Sequence, residues 1–152
     1  LRRDARVDGR ERTDVRTLTA EALGGPVDLL VADLSFVSLR PLLVGLVRLV
    51  RADGDLVLLV KPQFEAERAE VDAGRGVIAD PEVWHRSVVD VGRALEAAGA
   101  AIMGTMASPL RGADGNVEFL LHGRAGAAAH LTPVEAADLA VADLGTPGGP
   151  TS

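Results

Sequence analysis

Apolar and polar residues fall into blocks along this chain, and the blocks have two distinct periods. Residues 27–32 (Val-Asp-Leu-Leu-Val-Ala) and 55–61 (Asp-Leu-Val-Leu-Leu-Val-Lys) are short, nearly unbroken apolar runs bounded by turn formers. Such runs fit β-strands buried on both faces, as in parallel sheets. Between them Leu39, Leu42, Leu43, Leu46, Val47 and Val50 keep helical spacing, which predicts a helix over 38–51 with Pro41 in its first turn. Ala52-Asp53-Gly54-Asp55 reads as a turn, and its acids read as turn formers. Asp80-Pro81-Glu82 supplies an acidic cap, a proline and a first-turn acid, so a helix starts there and stops at Gly99. Residues 100–107 and 117–122 read as two strands around the turn-rich stretch 108–115, an antiparallel pair. Thr132-Pro133-Val134-Glu135 is a capping box that predicts a short helix over 133–143. Residues 1–24 read as a helix tail, a short strand and a polar turn, 62–79 as a loop, and the final nine residues as disordered.

The order strand–helix–strand–helix–strand–strand predicts an α/β sheet, mostly parallel with an antiparallel last strand. In such sheets ligands bind beyond the carboxyl ends of the strands. Asp33 and Lys61 both follow strand candidates, and Glu118 lies early in the last one. Neighbouring strands lie about 5 Å apart, so Asp33 and Lys61 can meet, with Glu118 on the same edge.

Composition sharpens that choice. Fifteen of the sixteen basic residues are arginine, and Lys61 is the exception. Arginine stays protonated, whereas a lysine can be tuned to give and take a proton. The 152 residues, 47% of them apolar, suffice for one domain with a real core. There is no cysteine, which excludes disulfides, thiolate metal sites and cysteine-based methylation of bases. No apolar run reaches the roughly 18 residues of a membrane span, and the polar start Leu1-Arg2-Arg3-Asp4 shows no signal peptide, so the default compartment is the cytoplasm. The net charge of −6 argues against a free-standing nucleic-acid binder. The charge is uneven: residues 1–51 hold nine arginines against seven acids, and no lysine or arginine follows Arg124. Any nucleic-acid surface therefore belongs to the first half or to a part of the protein outside these residues. Asp72-Ala73-Gly74-Arg75-Gly76 matches no phosphate-loop spacing and fits a flap over a site better. His85 and Trp84 read as packing or surface residues and His122 as a half-buried structural one, and no His, Asp and Glu grouping has metal-ligand spacing.

Three stretches together carry a family resemblance: Val31-Ala32-Asp33-Leu34-Ser35-Phe36-Val37-Ser38-Leu39, Val60-Lys61-Pro62-Gln63-Phe64-Glu65 and Gly115-Asn116-Val117-Glu118-Phe119. In order and spacing they resemble the TlyA family, haemolysin-like proteins with an FtsJ-type ribose methyltransferase domain, over roughly residues 5–123. The resemblance implies a class I, Rossmann-like methyltransferase sheet whose N-terminal strands lie upstream of Leu1, with S-adenosylmethionine as cofactor. It implies methylation of cytidine 2′-hydroxyls in ribosomal RNA of both subunits, with RNA held mainly by a preceding S4-like domain. The family's tetrad is Lys-Asp-Lys-Glu; Asp33, Lys61 and Glu118 match its last three members, while the first lysine and the glycine-rich cofactor turn have no counterpart here. Asp14 and Val15 match a segment that contacts the adenine end of the cofactor, and Phe36 matches an aromatic lining its pocket; Asp33 stands near the sulfonium. The resemblance makes residues 1–124 the C-terminal part of the methyltransferase domain and 125–152 a short helix and tail. Base N-methyltransferases fit less well, because Asp33-Leu34-Ser35-Phe36 lacks the prolines of their motif. The competing class is a non-catalytic RNA- or ribosome-binding protein, or a haemolysin-like interaction protein.

Overall fold

A computed structural model describes residues 4–144. Four strands form one sheet: β1 (Val27–Ala32), β2 (Val50–Val60), β3 (Ala100–Ala107) and β4 (Phe119–Ala125), in the spatial order β1-β2-β4-β3. β1 and β2 run parallel, and β4 enters antiparallel between β2 and β3. The register pairs Ala32 with Leu58 and Val60 with Phe119. The carboxyl ends of β1 and β2 and the start of β4 therefore share one edge of the sheet.

Alternation fixes which face is buried. Leu56, Leu58 and Val60 of β2 and Phe119 and Leu121 of β4 point into the core, with half-buried residues between them. Helices α1 (Leu43–Leu49), α4 (Pro81–Ala97) and α5 (Pro133–Asp143) cover that face with Leu43, Leu46, Val88, Val91, Leu95, Ala136 and Ala140. Each fully buried leucine or valine there contributes about 1.5–3 kcal/mol. Gly92 lets α4 approach closely: a Cβ at this position would come within 2.9 Å of Ile102 Cδ1 and 3.1 Å of Pro133 Cβ. The α4 and α5 starts follow the predicted caps, with Asp80 accepting from the Glu82 N–H and Thr132 and Glu135 forming a reciprocal box.

Several elements differ from the sequence reading. β1 is an edge strand covered on one face only, so Leu29 and Val31 are 54% and 68% exposed. Its apolar run fits a doubly buried strand in composition, but no described residue supplies a second layer. The predicted helix over 38–51 is a 3₁₀ turn at Arg40–Leu42 followed by α1, because β2 already begins at Val50. Residues 51–54 are an irregularity in β2, where the pairing steps from Val27–Val50 to Leu29–Asp55 and Asp53 takes a φ of 61°. The region read as a loop holds two short helices, α2 (Pro62–Glu65) and α3 (Arg68–Ala73). Residues 4–24 contain 3₁₀ turns at Val15–Thr17 and Glu21–Leu23 and no strand. The predicted helix tail at residues 1–3 and the tail from residue 145 onward lie outside the described residues.

Candidate active site

Lys61 is the last extended residue of β2's line, held there because Pro62 disfavours a helical backbone before it. Its side chain is 11% exposed and reaches sideways along the sheet edge. Nζ lies 2.6 Å from Asp33 Oδ1 and 3.9 Å from Glu118 Oε1, and it donates to Ser35 Oγ at 3.2 Å. Asp33 is the first residue after β1, and Glu118 immediately precedes β4. The parallel pair places the first two side by side, and the antiparallel entry of β4 brings the third. The structure thus unites the three residues that the sequence placed at strand ends.

The surroundings explain how a nearly buried Glu118 is held. Gln63 Nε2 donates to Glu118 Oε1 at 3.3 Å, and the Glu118 carbonyl accepts from the Ser108 N–H at 2.8 Å. Gly112 leaves room for the carboxylate, since any Cβ there would overlap Glu118 Oε1. Gly112 is itself fixed by its N–H donating to the Asn116 carbonyl at 2.9 Å, across a turn in which Asp114 and Gly115 take positive φ. Asn116 also anchors the neighbouring loop: its Oδ1 accepts from the Ile78 N–H at 3.0 Å and its Nδ2 donates to the Gly76 carbonyl at 2.9 Å. Trp84 Nε1 adds a bond to the Ile78 carbonyl. The glycine-rich stretch is therefore tied down along the side of the site.

A cavity of about 260 Å³ opens beside Lys61, lined by Ser35, Phe36, Gln63, Phe64 and Glu118 among others. Phe36 is 91% exposed, adopts a left-handed backbone (φ 63°) and leans its ring on Phe64 with centroids 5.3 Å apart. The buried carbonyl oxygen of Gln63 has no hydrogen-bond partner. Glu65 is buried too; burial pushes its carboxyl up, against the lowering pull of hydrogen bonds from Ser38 and the Leu39 N–H and of Arg40.

Asp14 and Val15 lie in a different group. Asp14 caps the Val15–Thr17 turn and pairs with Arg16 at 2.6 Å; those hydrogen bonds pull its carboxyl down to about 2. Val15 and Arg16 line a separate pocket with Pro41, Leu42 and Leu46. His85 bridges α4 to Asp138 of α5 at 3.0 Å, and His122 and Arg124 share Asp55 at 2.9 Å on the uncovered sheet face. Among the described residues, no three His, Asp or Glu side chains are grouped to hold a metal ion, and no helix is long and apolar enough to cross a membrane. Residue chemistry alone does not single out Ser35, Gln63, Glu65 or Asn116; the only signal for them is their place in the Val31–Leu39, Val60–Glu65 and Gly115–Phe119 stretches beside Asp33, Lys61 and Glu118.

The family described as FtsJ-like methyltransferase matches residues 1–125. The chain is 51% identical over 121 residues to a Mycobacterium tuberculosis protein named 16S/23S rRNA (cytidine-2′-O)-methyltransferase TlyA, covering 80% of this chain and 45% of that protein. It is 31% identical over 122 residues to the 23S rRNA (cytidine-2′-O)-methyltransferase TlyA of Campylobacter jejuni, covering 80% and 46%. Among solved structures, a hemolysin-type protein of Streptococcus thermophilus superposes with a TM-score of 0.84 at 30% identity, over 93% of this chain and 51% of that one. The chain spans less than half the length of these two curated relatives.

Proposed function

The chain belongs to the FtsJ-like methyltransferase family, and from that premise we propose that it forms the C-terminal part of an S-adenosylmethionine-dependent enzyme methylating cytidine 2′-hydroxyls in ribosomal RNA. The observation that carries the reading is Lys61 held between Asp33 and Glu118 at the sheet edge. Residues 1–124 form this part of the catalytic domain. Recognition of ribosomal RNA rests mainly on an S4-like domain outside residues 1–152, and the enzyme works in the cytoplasm.

The residues present fit the donor end of the cofactor. Asp33 is two-thirds exposed beside the cavity and Phe36 presents an exposed ring that leans on Phe64: a carboxylate and an aromatic face suited to a sulfonium cation. Asp14 and Val15 fit a more distant part of the cofactor, as a turn against α1. Bound S-adenosylmethionine supplies an electrophilic methyl group.

A ribose hydroxyl is a poor nucleophile until its oxygen is aligned and its proton has an acceptor. Lys61 Nζ orients and activates that oxygen from the sheet edge. Asp33 fixes Nζ through a short ion pair, Ser35 Oγ accepts a hydrogen bond from it, and Glu118 balances its charge from the far side. As the ribose oxygen takes the methyl group from the sulfonium, whose S–C bond breaks, its proton passes to a basic group of this cluster, the Asp33 carboxylate or an unprotonated Lys61.

The test is methyl transfer by the full-length protein from S-adenosylmethionine to ribosomal RNA lacking the modification, read by mass spectrometry of the nucleosides. The reading requires 2′-O-methylcytidine, lost in Lys61→Ala. Transfer to a base atom, or undiminished transfer by Lys61→Ala, refutes it.

A further inference from the structure

Glu65 is as buried as Glu118, yet it touches none of Asp33, Lys61 and Glu118. Its side chain is 2% exposed and both oxygens are engaged. Oε2 accepts from Ser38 Oγ at 2.5 Å and from Arg40 Nε at 3.2 Å, and Oε1 accepts from the Leu39 N–H at 2.7 Å. Arg40 continues the tie, with Nη2 donating to the Glu65 carbonyl at 3.1 Å and Nη1 lying 3.7 Å from Asp90 of α4.

Burying a carboxylate is a poor way to stabilise a fold. Desolvation offsets much of the attraction, and an apolar side chain often serves as well. What three donors converging on one carboxylate do supply is a fixed geometry. Here that geometry adds a tie between two segments which already meet at Lys61 and through the Phe36 and Phe64 rings. The loop leaving β1 touches the turn leaving β2 at Asp33–Lys61 and again at Ser38 and Leu39–Glu65. Between these contacts sits Phe36, in a left-handed conformation that is unfavourable for a non-glycine residue. Its ring is almost wholly exposed, so core packing does not hold it there. The Glu65 contact closes a ring of chain around it, inside which its aromatic ring leans on Phe64.

We propose that Glu65 is a positioning residue for the Lys61 site. By clamping Ser38, Leu39 and Arg40 to the end of α2, it sets the loop that carries Asp33, Ser35 and Phe36 in register with Lys61 and Phe64. This role rests on the methyl-transfer reading above.

The test uses the full-length protein with Glu65→Gln and Ser38→Ala, measuring amide exchange at Leu39 and the kcat and KM for ribosomal RNA well below the melting temperature. Glu65→Gln keeps the shape but loses an acceptor oxygen. Exchange at Leu39 should accelerate about tenfold or more, and kcat should fall about 100-fold, since small misplacements of reacting groups cost that much. KM should stay within about threefold. Wild-type kcat in Glu65→Gln, or a loss confined to KM, overturns the proposal. If Glu65→Gln does not fold, Ser38→Ala decides: it leaves the carboxylate bonded to Leu39 and Arg40 and should lower kcat about tenfold, whereas unchanged kcat overturns the role. If the wild-type protein transfers no methyl group, the methyl-transfer reading fails by itself. Leu39 exchange then decides the clamp alone, and equal exchange in wild type and variants overturns it.

Discussion

Lys61 is bound on three sides by shorter partners, and that makes its shape as important as its charge. Arginine at 61 would keep the charge, but its planar fork needs more room than the 2.6 Å and 3.2 Å contacts to Asp33 and Ser35 leave. Lys61→Arg should lower methyl transfer by the full-length protein at least about 100-fold while calorimetric affinity for S-adenosylmethionine changes little; near-normal transfer would remove Lys61 from its assigned role. Asp14 allows a second test at this scale. Its carboxyl, held at about 2 by hydrogen bonds from Arg16, is depressed below its unfolded value. The stability it contributes is therefore present above the ordinary carboxylate range and is lost as pH falls through about 2. In Arg16→Ala the Asp14 titration, followed by NMR, should move up toward the ordinary value of about 3.9. An unmoved midpoint would show that Arg16 is not the cause. Among single residues the sequence was legible where chemistry is unusual, as with the solitary lysine. It was not legible where meaning comes from a partner: nothing local distinguishes Glu65 from Glu67, and only the fold brings Ser38 and Leu39 to one of them.

Elements were legible where their ends carry specific chemistry. The helix over Pro81–Ala97, the strand Ala100–Ala107 and the helix over Pro133–Asp143 begin or end at caps, a proline or a glycine, and their observed bounds follow those signals. α2 and α3 were missed because four and six residues are too few to show a helical period. β2 was read as starting late because Ala52-Asp53-Gly54-Asp55 is turn chemistry that the strand absorbs as an irregularity. The segment from Gly74 to Ala79 is the element on which a prediction is clearest. It is held by two bonds from the Asn116 side chain and one from Trp84. Asn116→Ala leaves the buried Ile78 N–H without that acceptor, at a cost of about 1–3 kcal/mol. Thermal unfolding should register this loss, and proteolysis after Arg75 should quicken. Unchanged melting and cleavage would mean that the loop is held by its own packing instead.

At the scale of the whole molecule, the sheet has one covered face and one open one. Val31 paired with Val57, Leu59 with Leu120 and Leu120 with Met106, together with Leu29, present apolar side chains on a face that no described helix covers, next to the unpaired side of β1. Exposed edges of this kind promote association. Residues 1–152 alone should therefore sediment as more than a monomer, and Val31→Lys should shift them toward one; a monomeric wild-type chain would refute this. The strand order has a further consequence, in time rather than space. β4 is last along the sequence but lies inside the sheet, and β3, made before it, pairs with β4 and not with β2. While the protein is being synthesised, β3 has no neighbour and Lys61 has only Asp33 and Ser35 until residues 118–125 leave the ribosome. The grouping of Asp33, Lys61 and Glu118 is thus completed late, in the same event that finishes the sheet. A chain that stops short of β4 lacks both Glu118 and the strand that joins β2 to β3.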